Sequence, residues 1–273
     1  MIPVLLAAPL LLYMLVFYAL PVLAMLARSF GEQQWTLAHY ASLADDPVFL
    51  KTFWNTLSTA AIVTLGTLLL GYPVALALAR ARGLTAAVIL VVIQLPFWTS
   101  VLVRSYAWMV LLGRHGLINE ALLAAGLLER PLRILNTSLA TAIAMIHILL
   151  PYMILPIANA LRQIDPALAR AASGLGASPW QTFRQVILPL SVPGVAAGVL
   201  LVFVLSLGFY ITPAMVGGPR DITLSMLIAQ QVDQLNWAYA ACLSAVLLVT
   251  SLALIAGFQR LPGVGIAFRM NTR

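Results

Sequence analysis

Few side chains in this chain could carry out a reaction, and their spacing argues against one. The only lysine, Lys51, follows no glycine-rich loop, so the GxxxxGK[ST] arrangement that cradles nucleotide phosphates is missing. Cys242 is the sole cysteine and sits in an apolar run, which leaves it a packing role and no disulfide or Cys metal cluster. His147 is alone in another apolar stretch. With no second ligand at helical spacing, its expected state is a neutral imidazole hydrogen-bonded to a neighbouring helix. No paired carboxylates, metal-ligand cluster or nucleophile beside a base falls within the apolar segments, so neither an enzyme nor a metal or cofactor site is expected.

The elements that must hold these residues are membrane helices. The 273 residues are 62% hydrophobic and 8% charged, against about 25% charged in soluble domains. A helix needs about 20 apolar residues to cross a hydrocarbon core of roughly 30 Å, and such stretches recur along the whole chain. The expected fold is an all-α membrane protein of about six transmembrane helices in a single domain, residues 1–273, with spans near 3–27, 53–79, 84–110, 136–161, 193–214 and 236–258. The first stretch lacks a basic n-region and is too long for a signal-peptide core, so it reads as a span. The fourteen arginines are dispersed rather than striped, which excludes a nucleic-acid role despite a pI of about 10.1.

Between the spans, Arg28 to Lys51 reads as a polar segment, and residues 80–83 make a tight basic turn. Gly113 to Leu135 reads as a hydrated loop with a short amphipathic helix around Asn119 to Leu128. Eight basic residues (80, 82, 162, 170, 184, 260, 269, 273) fall on one side and seven on the other or in the outer half of the third span, so the positive-inside rule is nearly silent.

The longest segment outside the membrane, 162–192, carries two consecutive helix starts. Asp165 caps the first, with Pro166 at its first position, and Gly174 and Gly176 end it. Ser178 caps the second, again with proline next, and Gln181 completes a capping box. Trp180, Phe183, Val186 and Ile187 share one face of this second helix, and Pro189 and Pro193 are expected to stop it before the fifth span. Such a hairpin suits a groove on another protein, or the surface of the membrane lipid.

Here the sequence resembles the permease subunits of binding-protein-dependent ABC importers. Their coupling motif reads Glu-Ala-Ala, three residues, Gly, nine residues, Ile, one residue, Leu-Pro. Ala171, Ala172, Gly176, Leu188 and Pro189 match at that spacing, Val186 replaces the isoleucine, and Arg170 replaces the glutamate with reversed charge. Asn55-Thr56-Leu57, Gly71-Tyr72-Pro73-Val74-Ala75, Leu95-Pro96-Phe97-Trp98 with Arg104, Ser206-Leu207-Gly208, Thr212-Pro213 and Gly217-Gly218 look like the spermidine/putrescine branch. The resemblance implies a type I permease fold, a multi-pass place in the bacterial inner membrane and a cytoplasmic hairpin that couples to a separate ATPase. It also implies a second permease subunit, related or identical, and a periplasmic solute-binding protein. Relatives that carry other small solutes, such as opines, amino-acid derivatives, phosphonates or thiamine, share parts of these motifs.

No Asp or Glu falls inside a span, so a cationic cargo would meet aromatic faces, with Trp98, Tyr106, Trp108, Phe209 and Tyr210 as candidates beside Arg104. Gly208 to Pro213, which includes Thr212, is expected to break the fifth span and line the gate. An ion-coupled secondary transporter would show repeats, paired broken helices and intramembrane acids. None of the three is visible in the sequence.

Overall fold

The computed structural model describes residues 9–10, 12–31 and 36–260. Residues 3–8 and 11 of the first expected span, Glu32, and the tail with Arg269 and Arg273 lie outside the described residues. Among the described residues the chain is helical throughout, with no strand.

A short apolar helix, α1 (Leu12–Arg28), leads to α2 (Ala38–Asp45) and the long α3 (Pro47–Arg80). The Asp46 carboxylate accepts the Val48 amide at 2.8 Å, and Pro47 occupies the first turn, where its missing N–H costs nothing. This cap starts the helix before the expected residue 53, so Lys51 lies inside α3, and Ala38–Asp45 of the expected polar segment is helical as well. At 1.5 Å per residue the 34 residues of α3 reach about 51 Å, well beyond the hydrocarbon core.

The expected third span, 84–110, is not one helix. It is divided into α4 (Gly83–Trp98) and α5 (Val101–Leu112), and the chain turns by 100° between them. Pro96 sits in a closing 3-10 turn, Thr99 and Ser100 are extended (ψ 142° at both), and the Ser100 hydroxyl accepts the Leu102 amide to start α5 afresh. After α6 (Leu117–Ala124), which begins before the expected Asn119, α7 (Ser138–Arg162) forms the centre of the bundle.

The hairpin helix α8 (Pro166–Gly174) precedes α9 (Pro179–Leu207), which runs unbroken from the hairpin into the membrane. The expected stop at Pro189 and Pro193 does not occur. A π turn at Phe183–Ile187 lets the Leu188 amide bond the Phe183 carbonyl, and the widened turn admits the ring of Pro189 that a regular helix would reject. The chain ends in α10 (Ile211–Val216), α11 (Leu224–Asp233) and α12 (Trp237–Gln259).

Four helices, α3, α7, α9 and α12, are long and apolar enough to cross a membrane, and the bent α4–α5 pair raises the number to five. With α1, the described part of each of the six expected apolar segments is mainly helical. The break at Gly208–Tyr210 falls where the fifth span was expected to break, whereas the one at Thr99–Ser100 was not expected.

The main core joins α3, α7 and α9 through Val63, Leu78, Met145, Leu149, Met153, Ile157 and Val202. Inside lipid this packing rests on close contact rather than on water exclusion. Gly194 provides it, because a Cβ there would lie 2.7 Å from the Pro156 carbonyl oxygen. A second core holds Leu43, Phe49, Leu224, Leu227, Leu243 and Cys242, so the lone cysteine packs as expected.

Candidate functional site

The hairpin is built from its caps. Asp165 accepts the Ala167 amide at 2.8 Å and opens α8. At the far end the Gly176 amide bonds the Ser173 carbonyl and the Ala177 amide bonds the Ala172 carbonyl, both at 3.0 Å, a Schellman closure. Gly176 adopts φ +86°, whereas Gly174 is simply the last helical residue, so one glycine does the work expected of two. The capping box then opens α9: Ser178 Oγ accepts the Gln181 amide at 3.3 Å and Gln181 Oε1 accepts the Ser178 amide at 2.8 Å.

The aromatic face expected on α9 divides. Phe183, Val186 and Ile187 are half-buried; the Phe183 ring meets Tyr72 of α3 edge-on at 6.0 Å, and the Tyr72 hydroxyl pairs with Ser191 Oγ at 2.9 Å. Trp180 stacks on Phe183 at 5.6 Å yet stays 66% exposed. Arg170, Ala171, Leu188 and Pro189 are also exposed, Ala172 is half-buried, and Leu175 is 90% exposed. Arg162 anchors the base by donating from Nη2 to the Leu78 carbonyl at 3.2 Å, near the carbonyl end of α3. The result is a stiff pair of helices with an uncovered ridge of Leu168, Leu175 and Trp180.

A second constellation forms where α5 and α7 face the break in the fifth segment. The break itself is confined to Gly208–Tyr210, and Thr212 and Pro213 are already helical in α10. Ser105 Oγ and Thr212 Oγ1 are 2.7 Å apart and buried, tying α5 to α10. Trp108 donates from Nε1 to His147 Nδ1 at 3.2 Å, the neighbouring-helix bond expected for a neutral imidazole. Arg104 is half-buried, its Nε has no hydrogen-bond partner among the described residues, and it lies within electrostatic reach of His147 and Tyr152. Tyr152 in turn meets Phe97 edge-on at 5.0 Å.

Of the expected pathway residues, then, Arg104, Trp108 and Thr212 join this region. Phe209 packs against the main core. Trp98 at 89%, Tyr106 at 58% and Tyr210 at 44% are exposed and meet no ring among the described residues. Ser105 and Tyr152 were not among the expected site residues, and Phe97 was read only as part of a motif, because nothing local marks Ser105 as the partner of a residue 107 positions away.

Comparison with known proteins agrees with this architecture. The family model described as binding-protein-dependent transport system inner membrane component matches residues 68–260. The spermidine/putrescine transport system permease protein PotB of Haemophilus influenzae is 35% identical over 257 residues, covering 91% of this chain and 90% of that protein. PotB of Escherichia coli is 35% identical over 222 residues, covering 81% of this chain and 80% of its own length. A bacterial alginate ABC transporter, crystallised with its alginate pentasaccharide-bound periplasmic protein, shares the fold at a TM-score of 0.78 and 19% identity, over 95% of this chain and 94% of that one. The chain therefore belongs to the family of binding-protein-dependent transport system inner membrane components, and it is a multi-pass permease rather than an enzyme.

Proposed function

We propose that this permease is one membrane-spanning half of an ATP-driven importer that moves a polyamine, spermidine or putrescine, from periplasm to cytoplasm. The observation that carries the reading is 35% identity to a spermidine/putrescine permease across nine-tenths of both chains. A separate ATPase supplies the energy, a second permease subunit completes the path, and a periplasmic binding protein delivers the cargo.

The geometry supplies a mechanism for the coupling. The uncovered ridge of Leu168, Leu175 and Trp180 seats in the ATPase, with Arg170, Ala171 and Ala172 beside it. Because α9 is one helix from Pro179 to Leu207, a push on Trp180 travels about 44 Å along a single rigid element to the break at Gly208. There the Ser105–Thr212 bond and the Trp108–His147 bond hold the far side of the break in one arrangement. Displacement of α9 against them opens or closes the path. A cation crossing this region meets the ring of Trp108 rather than carboxylates.

The test is uptake of labelled spermidine and putrescine into vesicles that hold this permease with its partner permease and ATPase, with binding protein supplied outside. Uptake should require hydrolysable nucleotide inside the vesicle, where the ATPase lies, and binding protein outside, and unlabelled polyamine should compete. Competition by an anion such as a phosphonate, with none by polyamines, would overturn the cargo. Uptake driven by an ion gradient without ATP would overturn the class.

A further inference from the structure

Arg104 stands inside the bundle without an anion. On α5 it lies between the buried Ser105 and the exposed Val103, at the edge where the packed face of the helix gives way to an open one. Its Nε is buried and unpaired, and the side chain makes no hydrogen bond or ion pair among the described residues. The groups within electrostatic reach, His147 and Tyr152, belong to α7 and give its depth. At 1.5 Å per residue, His147 is about 14 Å from the outer end of this 25-residue span and Tyr152 about 15 Å from the inner end. Arg104 is therefore near the midplane of the membrane.

An arginine at that depth needs a partner, and within membranes such residues pair with acids or carbonyls. This chain offers neither. The helices α3, α4, α5, α7, α9, α10 and α12 contain no Asp or Glu, and no carbonyl among the described residues accepts from Arg104. His147 has no lone pair to give, because its Nδ1 already accepts the Trp108 Nε1 proton and a neutral ring then carries its own proton on Nε2. Lipid phosphates lie about 15 Å away, half of the hydrocarbon core, and snorkelling serves residues near helix ends. A polyamine is itself a cation. The counter-charge must come from another protein chain.

We propose that a carboxylate of the second permease subunit pairs with Arg104, and that the passing polyamine takes the place of the guanidinium on it. The proposal rests on the polyamine-importer reading, which provides both the second subunit and the cationic cargo. The open side of α5 carries Val103, Tyr106, Ala107 and Val110, a largely apolar surface with one cation at its edge. Charge complementarity sets the partner's chemistry: an acid within an otherwise apolar span. The guanidinium keeps that acid ionised and satisfied while the path is empty. An ammonium group exchanges for it without leaving the carboxylate bare, whereas a neutral or anionic solute has nothing to offset the pair it breaks. This chain thus brings the Trp108 ring to the path, the second subunit brings the acid, and Arg104 is the resting counter-ion of that acid.

The experiment uses the assembled transporter in proteoliposomes and dicyclohexylcarbodiimide, a membrane-soluble reagent that attacks protonated carboxyls. In Arg104→Gln the unpaired acid protonates, so the reagent should add to one Asp or Glu in a span of the second subunit about fivefold more than in wild type, as read by mass spectrometry. In Arg104→Lys the same reagent should join the two permeases: the carboxyl and the introduced amine form an amide, and the carbodiimide takes up the water as its urea. Lys51 is the only native lysine, so wild type gives the background. Polyamine-loaded binding protein with ATP should lower the yield of the linked pair, and the same concentration of free polyamine should not. Equal labelling of wild type and Arg104→Gln would overturn the pairing, as would a link mapped to an acid of this chain. A yield indifferent to loaded binding protein would overturn the exchange. Where Arg104→Lys fails to assemble, the labelling of Arg104→Gln decides the pairing. Spermidine uptake by wild type is scored separately: its absence rejects the cargo and leaves the pairing readable.

Discussion

Substitution of Gly176 by valine isolates the backbone contribution of the hairpin. A Cβ at this position meets no atom within 4 Å, so the added side chain finds open space and no steric clash. The cost comes from φ +86°, which a β-branched residue adopts at a penalty of about 1–3 kcal/mol. If the chain relaxes instead, it gives up the Gly176–Ser173 and Ala177–Ala172 bonds, at roughly 0.5–1.5 kcal/mol each. Either way the native turn loses about 5- to 150-fold in its equilibrium against other turns, and Trp180 moves relative to Leu168 and Leu175. The main core of α3, α7 and α9 does not include residue 176, so membrane insertion and yield should be unchanged. ATPase co-purification and binding-protein-dependent uptake are the assays, and both should fall. Gly176→Asn is the control, because asparagine tolerates the left-handed region and should retain most activity. Wild-type uptake by Gly176→Val, or equal defects for Asn and Val, would refute the reasoning.

Trp180→Ala removes an exposed ring and should leave thermal stability of the detergent-purified permease within about 0.5 kcal/mol, while ATPase association weakens by about tenfold or more if the ring anchors that contact. Ser105→Ala and Thr212→Val, made singly and together, should show a coupling of about 0.6–1.7 kcal/mol in a double-mutant cycle read by denaturant unfolding, and additive effects would dissolve the proposed tie across the break. Asn119→Ala orphans three backbone groups and should cost about 1–3 kcal/mol locally, seen as faster protease cleavage between residues 113 and 135 with the rest of the chain protected.

The amino-acid sequence by itself determined the solvent this protein needs and the features that depend on a few neighbouring residues. A chain with 8% charge can only be a membrane protein, and the caps Asp165, Ser178 and Gln181 act within three residues, so they form as their order dictates. The motif from Arg170 to Pro189 was legible for the same reason. Its aromatic face was legible only in part, because Tyr72, which half-buries Phe183, comes from a helix more than a hundred residues away.

The tertiary structure decided the rest. An apolar count registers Gly83 to Leu112 as one span because it is blind to ψ, although Pro96 followed by Ser100 at the head of a new apolar run was a stop and start signal in plain view. The continuity of α9 past Pro189 depends on a π turn, whose register a sequence does not print. His147 gained its partner from Trp108 and Ser105 from Thr212 across 39 and 107 residues. Arg114, Arg130 and Arg133 of the outer connection converge because Asn119 is buried between the two stretches of chain that carry them. Local backbone preferences and hydropathy are properties of adjacent residues and survive in one dimension, whereas which groups meet is set by how long helices pack, and that is fixed only when the whole chain is folded.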